Sequence, residues 1–201
     1  MELVKEYGDV FQEVPGETRG VIHRIRTPPG QVICKNWRRI PQQLQGQIRD
    51  EIEMMLEKGI IQEPQSDWCS PIVVVPKPDG KIRLCIDFRK VNVVAKFGAY
   101  LMSKVDEMVE NIGQASYIST LDLTKGYWLV PLAPKDQEKT AFATPWGLFH
   151  FRCMSFGLHG TNETFQRLMD RVLAPHGGCA VAYIDDIIVY TADWSVHLAT
   201  L

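Results

Sequence analysis

The sequence contains no run of 18 apolar residues, so nothing in it reads as a transmembrane span. Residues 1–10 alternate charged and apolar side chains and lack the apolar core of a signal peptide. Nor is there a basic excess. The 22 Lys and Arg stand against 24 Asp and Glu, and overall charge gives no hint of a nucleic-acid partner. The five cysteines (Cys34, Cys69, Cys85, Cys153 and Cys179) are odd in number and contain no Cys-x-x-Cys pair. That pattern supports neither a zinc site nor a disulfide framework, and it reads as free thiols in a reducing, intracellular compartment. Internal repeats and low-complexity stretches are missing as well. What remains is ordinary globular composition over 201 residues, enough for one sizeable core or two small subdomains.

The charge is unevenly spread. Between Lys77 and Lys96 lie Lys77, Lys81, Arg83, Arg89, Lys90 and Lys96 against only Asp79 and Asp87. Such a local field steers ligands more than net charge does, although a solvated hairpin face has the same composition.

Residues 1–40 are broken by Pro15-Gly16 and Pro28-Pro29-Gly30 and read as an extended lead-in that packs on something else. A helix is expected after Pro41, with Leu44, Ile48, Ile52 and Met55 on one face and Gly59 as its stop. Ile72 to Val75, a Pro78-Asp79-Gly80 turn and the alternating Ile82, Leu84, Ile86 predict a hairpin with Arg83 opposite the apolar row. Ser103 with Asp106 reads as a helix start, with Val105, Met108, Val109 and Ile112 as its buried stripe. Strands are expected at Ser116 to Asp122, Thr140 to Thr144 and Leu148 to Cys153. Phe165, Leu168, Met169, Val172 and Leu173 form the clearest helical stripe, a core feature. Ala180 to Ile184 and Ile187 to Tyr190 are apolar strands flanking Asp185-Asp186. Strands mixed with helices, with sheets joined by hairpins, argue for an α+β fold.

The sharpest chemical feature is Asp185-Asp186. A two-residue hairpin turn prefers Asn-Gly or Asp-Gly, and adjacent carboxylates repel. A divalent cation resolves both difficulties, because hard oxygens bind Mg²⁺. A solvent-exposed acidic turn is the bland alternative. Asp122, at a strand end before Thr124-Lys125-Gly126, would complete a two-metal site, which takes carboxylates from at least two segments. A turn-capping Asp is the bland alternative there.

Several ordered motifs carry a family resemblance. Ser119 to Leu132 (Ser-Thr-Leu-Asp-Leu-Thr-Lys-Gly-Tyr-Trp-Leu-Val-Pro-Leu) resembles the first catalytic motif of gypsy-type LTR-retrotransposon reverse transcriptases. Tyr183-Ile184-Asp185-Asp186 resembles their Tyr-x-Asp-Asp box, and Phe165 to Asp170 resembles the helix between them. Lys139 to Phe142, Phe156-Gly157-Leu158, Ser70 to Val73 and Asp87 to Asn92 match further motifs, so the likeness runs over essentially the whole chain.

The resemblance implies a right-hand polymerase fold. Residues 1–34 would be an extended lead-in and 35–115 the fingers with their hairpin. Residues 116–201 would be a palm of antiparallel sheet packed on helices. It also implies RNA-directed DNA polymerisation: nucleotidyl transfer from a dNTP to a primer 3′-OH on an RNA or DNA template. Asp122, Asp185 and Asp186 would hold two Mg²⁺ ions, with Mn²⁺ as a substitute. Lys77 and Arg83 would contact the triphosphate, and Arg83 suits this through its planar fork. Tyr127 would reject a ribose 2′-OH, with a core tyrosine as the bland alternative. Phe156 and Gly157 would line the nucleotide pocket. No membrane role is implied.

The chain departs from the family pattern at Gly98 to Ser103, Leu129, Ser155 and Thr161-Asn162-Glu163, as a decaying copy of an element would. The sequence stops near His197-Leu198, where thumb and RNase H regions of the family polyprotein would follow. The expectation from this is weak synthesis by the chain alone. A nucleic-acid-binding remnant and an inert translated fragment are the competing readings.

Overall fold

The computed structural model describes residues 5–8, 10–12, 14–35, 37–78, 80–96, 98, 100, 105–113 and 115–201. In chain order its first elements are α1 (Gln45–Glu57), β1 (Ile61–Gln62), β2 (Ser70–Pro76), β3 (Ile82–Ile86), α2 (Arg89–Val94), α3 (Val105–Ile112) and β4 (Tyr117–Asp122). They are followed by β5 (Phe142–Thr144), β6 (Gly147–Phe151), α4 (Thr161–Leu173), β7 (Ala180–Tyr183), β8 (Asp186–Thr191) and α5 (Trp194–Thr200). These elements form two compact units, each assembled from separated stretches. One, here the hairpin unit, comprises Gly16–Phe97 and Tyr127–Thr161. The other, the carboxylate unit, comprises Met1–Pro15, Gly98–Gly126 and Asn162–Leu201.

The hairpin unit is built on a five-stranded sheet in the order β1-β6-β5-β2-β3. All neighbours are antiparallel except β2 and β5, which run parallel through Ser70↔Phe142 and Pro71↔Ala143. The long β2–β3 ladder, from Ile72↔Ile86 to Pro76↔Ile82, follows from the alternation in β3 and from the turn that Gly80 closes by donating its N–H to Lys77 O at 3.1 Å. Asp79 of that turn lies outside the described residues. Helix α1 buries Ile48, Ile52 and Met55 along one face, as its 3.6-residue period requires, and lies against β1 and β3. Phe142 anchors the core, with ring centroids 5.9 Å from Phe149 and 5.4 Å from Phe151.

The lead-in within this unit has little regular structure, yet its backbone groups find partners. His23 N–H donates to Pro131 O, Ala133 N–H to His23 O, and Lys96 N–H to Arg26 O. Fully buried Ile25 is clamped at both ends. Its N–H donates to Asp136 Oδ2 at 3.2 Å, and its carbonyl accepts from Lys139 Nζ at 2.6 Å. Lys139 also pairs with Asp136 Oδ1 at 2.6 Å, so this buried carboxylate has a cation and a backbone donor.

The carboxylate unit is a three-stranded antiparallel sheet in the order β4-β8-β7, accompanied by α3, α4 and α5. Helix α4 buries Phe165, Leu168 and Met169. Val172 keeps the direction of Phe165 but is 56% exposed, so the burying surface ends before the last turn, contrary to the expected full stripe. Val109 in α3 also departs from expectation, at 60% exposure. Met108 and Ile112 stack at i and i+4, and Val109, about 100° further round, faces outward. The expected helix start at Ser103 and the side chain of Val105 lie outside the described residues. Among the described residues no helix is long and apolar enough to cross a membrane.

Candidate active site

Strands β4 and β8 pair in register from Tyr117↔Thr191 to Asp122↔Asp186. Residues directly opposite in an antiparallel pair project to one face, with Cβ atoms about 4.5–5.5 Å apart. The ladder therefore ends on two facing carboxylates. Leu123 N–H then donates to Asp185 O at 2.9 Å, tying the end of β4 to the hairpin turn that carries the third. None of the three carboxylates makes a hydrogen bond or ion pair among the described residues. Asp122 is thus not acting as a turn cap here.

The turn itself corrects the sequence reading. Tyr183 pairs with Asp186, so the two central residues are Ile184 and Asp185, and Asp186 already belongs to β8. Of the two, only Ile184 has positive φ, at 57°. This is the φ pattern of a type II′ turn, which favours glycine first. A β-branched residue in that region is strained, and the surroundings must hold it there.

Gln166, on α4, supplies that hold and was not singled out as a site residue in the sequence. Only 1% exposed, it accepts the Ile184 N–H on Oε1 at 2.8 Å. Its Nε2 donates to Ala182 O and Asp170 Oδ1, each at 2.8 Å. Asp170 in turn accepts from the Tyr100 hydroxyl, and the Arg167 guanidinium lies 5.0 Å from the Tyr100 ring centroid. A polar residue beside Phe165 on an otherwise apolar stripe was the available signal, because a buried amide must find partners. Gly126 brings the turn after β4 close to α4. A Cβ there would sit 2.9 Å from Phe165 Cζ.

The other predicted residues all belong to the hairpin unit. Val75 is opposite Arg83, and Lys77 N–H bonds Lys81 O, so the period of two puts Lys77, Lys81 and Arg83 on one hairpin face. Arg83 Cζ lies 5.5 Å from the Phe156 ring centroid. Phe156, 44% exposed, meets buried Tyr127 edge-on at 4.7 Å. Arg83, Phe156 and Tyr127 are therefore brought together in a row. Gly157 follows with φ 86°, a value that suits glycine. Asn92 braces this loop from both sides: its Nδ2 donates to Gly157 O at 2.8 Å and its Oδ1 accepts the His159 N–H at 2.9 Å. Not all the local positive charge is free. Arg89 and Arg38 both bind Asp87, at 2.7 and 2.9 Å, and the Arg89 hydrogen bonds hold that carboxyl down at about 2.

Three of the residues that depart from the motif pattern, Ser155, Thr161 and Glu163, fit their surroundings, and residues 99 and 101–103 lie outside the described residues. Buried Ser155 donates its hydroxyl to Phe156 O at 3.4 Å, and buried Thr161 donates to Leu158 O at 2.8 Å. Glu163 sits in the first turn of α4, where a negative charge complements the helix dipole.

As for a metal, the donor set is all hard oxygen, which suits Mg²⁺, and the backbone register brings two of the carboxylates face to face. Among the described residues, side chains of three or more His, Cys, Asp or Glu are not gathered into a metal-holding cluster.

The fold is that of a right-hand polymerase. It superimposes on the prototype foamy virus protease-reverse transcriptase with a TM-score of 0.91 at 24% identity, covering 98% of this chain and 27% of that one. A further foamy virus structure, solved in complex with an RNA/DNA hybrid, gives 0.91 at 25% identity, over 99% of this chain and 27% of that one. Residues 75–201 match the family model "Reverse transcriptase (RNA-dependent DNA polymerase)". The chain is 35% identical over 224 residues to the retrovirus-related Pol polyprotein from transposon opus of Drosophila melanogaster, covering 99% of the chain and 22% of the polyprotein. To the Pol polyprotein from transposon gypsy of the same fly it is 35% identical over 158 residues, covering 75% and 15%. An RNA-directed DNA polymerase homolog of Oenothera berteroana is 40% identical over 111 residues, covering 55% of the chain and 78% of that protein. The chain belongs to the reverse transcriptase family, and it spans only 15–22% of those two fly polyproteins.

Proposed function

We propose that this domain catalyses template-directed DNA synthesis by in-line attack of a primer 3′-OH on the α-phosphate of a dNTP. The observation that supports this best is the facing pair Asp122 and Asp186, with Asp185 in a turn pinned by Gln166. In this reading Asp122, Asp185 and Asp186 hold two Mg²⁺ ions. Bound there, the ions supply charge neutralisation for the attacking and leaving oxygens.

The protein's own contribution is positioning. Gln166 fixes the turn, so that the carboxylates need little reorganisation. Lys77 and Arg83 bind the triphosphate, Arg83 through its fork, and Phe156 keeps the guanidinium oriented. Tyr127 presents a ring edge braced by Phe156 against the sugar and disfavours a ribose 2′-OH. The positive φ of Gly157 lets backbone approach the nucleotide without a Cβ in the way. The template would be RNA or DNA carrying a primer. By motif order, the fingers name goes to residues 35–115 and the palm name to 116–201, after a lead-in of 1–34.

The test is single-nucleotide primer extension on RNA and DNA templates with Mg²⁺, comparing wild type with Asp186→Asn. Losing a metal carboxylate should lower incorporation by ~100-fold or more. Incorporation by Asp186→Asn equal to wild type would overturn the reading.

A further inference from the structure

Two cysteines that polymerisation does not use are held side by side in the hairpin unit. Cys34 in the lead-in and Cys69 just before β2 are partners in an isolated parallel bridge. Two backbone hydrogen bonds fix it: Cys69 N–H to Ile33 O at 2.8 Å and Lys35 N–H to Cys69 O at 2.7 Å. This pattern puts Cys34 directly opposite Cys69, with both side chains on one face. Neighbouring strands lie ~4.8 Å apart, within the Cα separation of ~4.4–6.8 Å that a disulfide spans without backbone movement.

The Cys69 thiol donates to Lys35 O at 3.0 Å, on the residue that follows Cys34. Burial, followed by the neighbouring Cys34 sulfur, pushes the Cys69 thiol up. Cys34 is exposed, whereas Cys69 is buried. One sulfur is therefore open to an oxidant, and the other is sheltered next to it as a resolving thiol. The remaining cysteines offer no comparable arrangement. Cys153 is buried with its thiol pushed up to about 12 and bridges Pro131, and Cys34↔Cys69 is the one isolated bridge between two cysteines among the described residues.

We propose that Cys34 and Cys69 form a reversible intramolecular disulfide, a modification site for peroxides. The Cys34 thiolate attacks one peroxide oxygen, the O–O bond breaks, and a sulfenic acid and one water result. The Cys69 sulfur then attacks the sulfenic sulfur, forming the S–S bond and expelling the hydroxyl as a second water. The two thiols lose two electrons and two protons, and one hydrogen peroxide becomes two waters. A dithiol reductant reverses the change. The bond closes a loop of about 35 residues that contains α1 and β1, so it restrains the unfolded chain and stabilises the hairpin unit.

The experiment treats the purified chain with stoichiometric hydrogen peroxide, blocks residual thiols, and maps peptides by non-reducing mass spectrometry. The expected result is one crosslinked Cys34–Cys69 peptide, two hydrogens lighter than its parts, together with a melting temperature raised by ~5–15 °C that dithiothreitol returns to its starting value. Cys34→Ser should abolish both changes. In Cys69→Ser, a second equivalent of hydrogen peroxide should carry the Cys34 sulfenic acid to the sulfinic acid, because no resolving thiol is present. The wild-type map is decisive even if a variant folds poorly. Cys34 and Cys69 both recovered as free thiols, Cys34 over-oxidised beside reduced Cys69, or either one crosslinked to a different cysteine would overturn the proposal.

Discussion

Replacing Gln166 with Leu keeps the side-chain volume while removing every polar contact to the turn. In the wild type, Gln166 accepts the Ile184 N–H and donates to Ala182 O, both at 2.8 Å, from a position 1% exposed. The variant would leave one backbone donor and one backbone acceptor without partners. Each unsatisfied buried group costs about 1–3 kcal/mol, which puts the loss at ~2–4 kcal/mol after partial relaxation. For a chain of this length, that is a fall in melting temperature of ~5–15 °C. Ile184 sits at φ 57° only because its surroundings hold it there, so the turn should also relax and move Asp185. Urea unfolding followed by circular dichroism reads the stability, and Mn²⁺ affinity reads the turn, with a weakening of ~10-fold expected. A stability change below ~0.5 kcal/mol with unchanged Mn²⁺ affinity would show that Gln166 does not hold the turn.

Lys139→Met should leave the buried Asp136 carboxylate without its cation and cost about 3–5 kcal/mol in urea unfolding, a loss that Asp136→Asn in the same chain should partly relieve. Arg83→Ala removes an exposed side chain that lies over the Phe156 face; dNTP affinity measured by calorimetry should fall ~10-fold or more while the melting temperature moves by less than ~2 °C. Burial lowers the His23 pKa from 6.5 to about 4. Between those values the unfolded chain binds the extra proton, so stability is complete above about 6.5 and drops as pH falls toward 4, by up to ~1.4 kcal/mol per pH unit, and His23→Gln should flatten that slope in acid titrations followed by fluorescence.

Much of the local structure was legible in the sequence. The alternation of Ile82, Leu84 and Ile86 with its Pro-Asp-Gly turn, the α1 face of Ile48, Ile52 and Met55, and the start of the α4 stripe all appear where periodicity puts them. Periodicity cannot say where a covering surface ends, which is why Val109 and Val172 are exposed. It also cannot fix register. Ala180 to Ile184 is one apolar run, and only pairing with β4 and β7 decides that Ile184, not Asp186, enters the turn. Roles that depend on long-range hydrogen bonds were the least visible. Gln166 bonds a residue 18 positions away, and Asn92 bonds residues 65 and 67 positions away. The division into two units, each assembled from separated stretches, likewise depends on contacts that no local pattern carries.

The central claim is that Asp122 and Asp186, brought opposite each other by the β4–β8 register, are metal ligands. Mn²⁺ binding followed by electron paramagnetic resonance tests it most directly, in wild type, Asp122→Asn and Asp186→Asn. Each substitution removes one anionic oxygen ligand from a site made of hard donors, so affinity should fall ~10-fold or more in both variants, with circular dichroism unchanged. Equal Mn²⁺ affinity in all three proteins, each shown to be folded, would contradict the account.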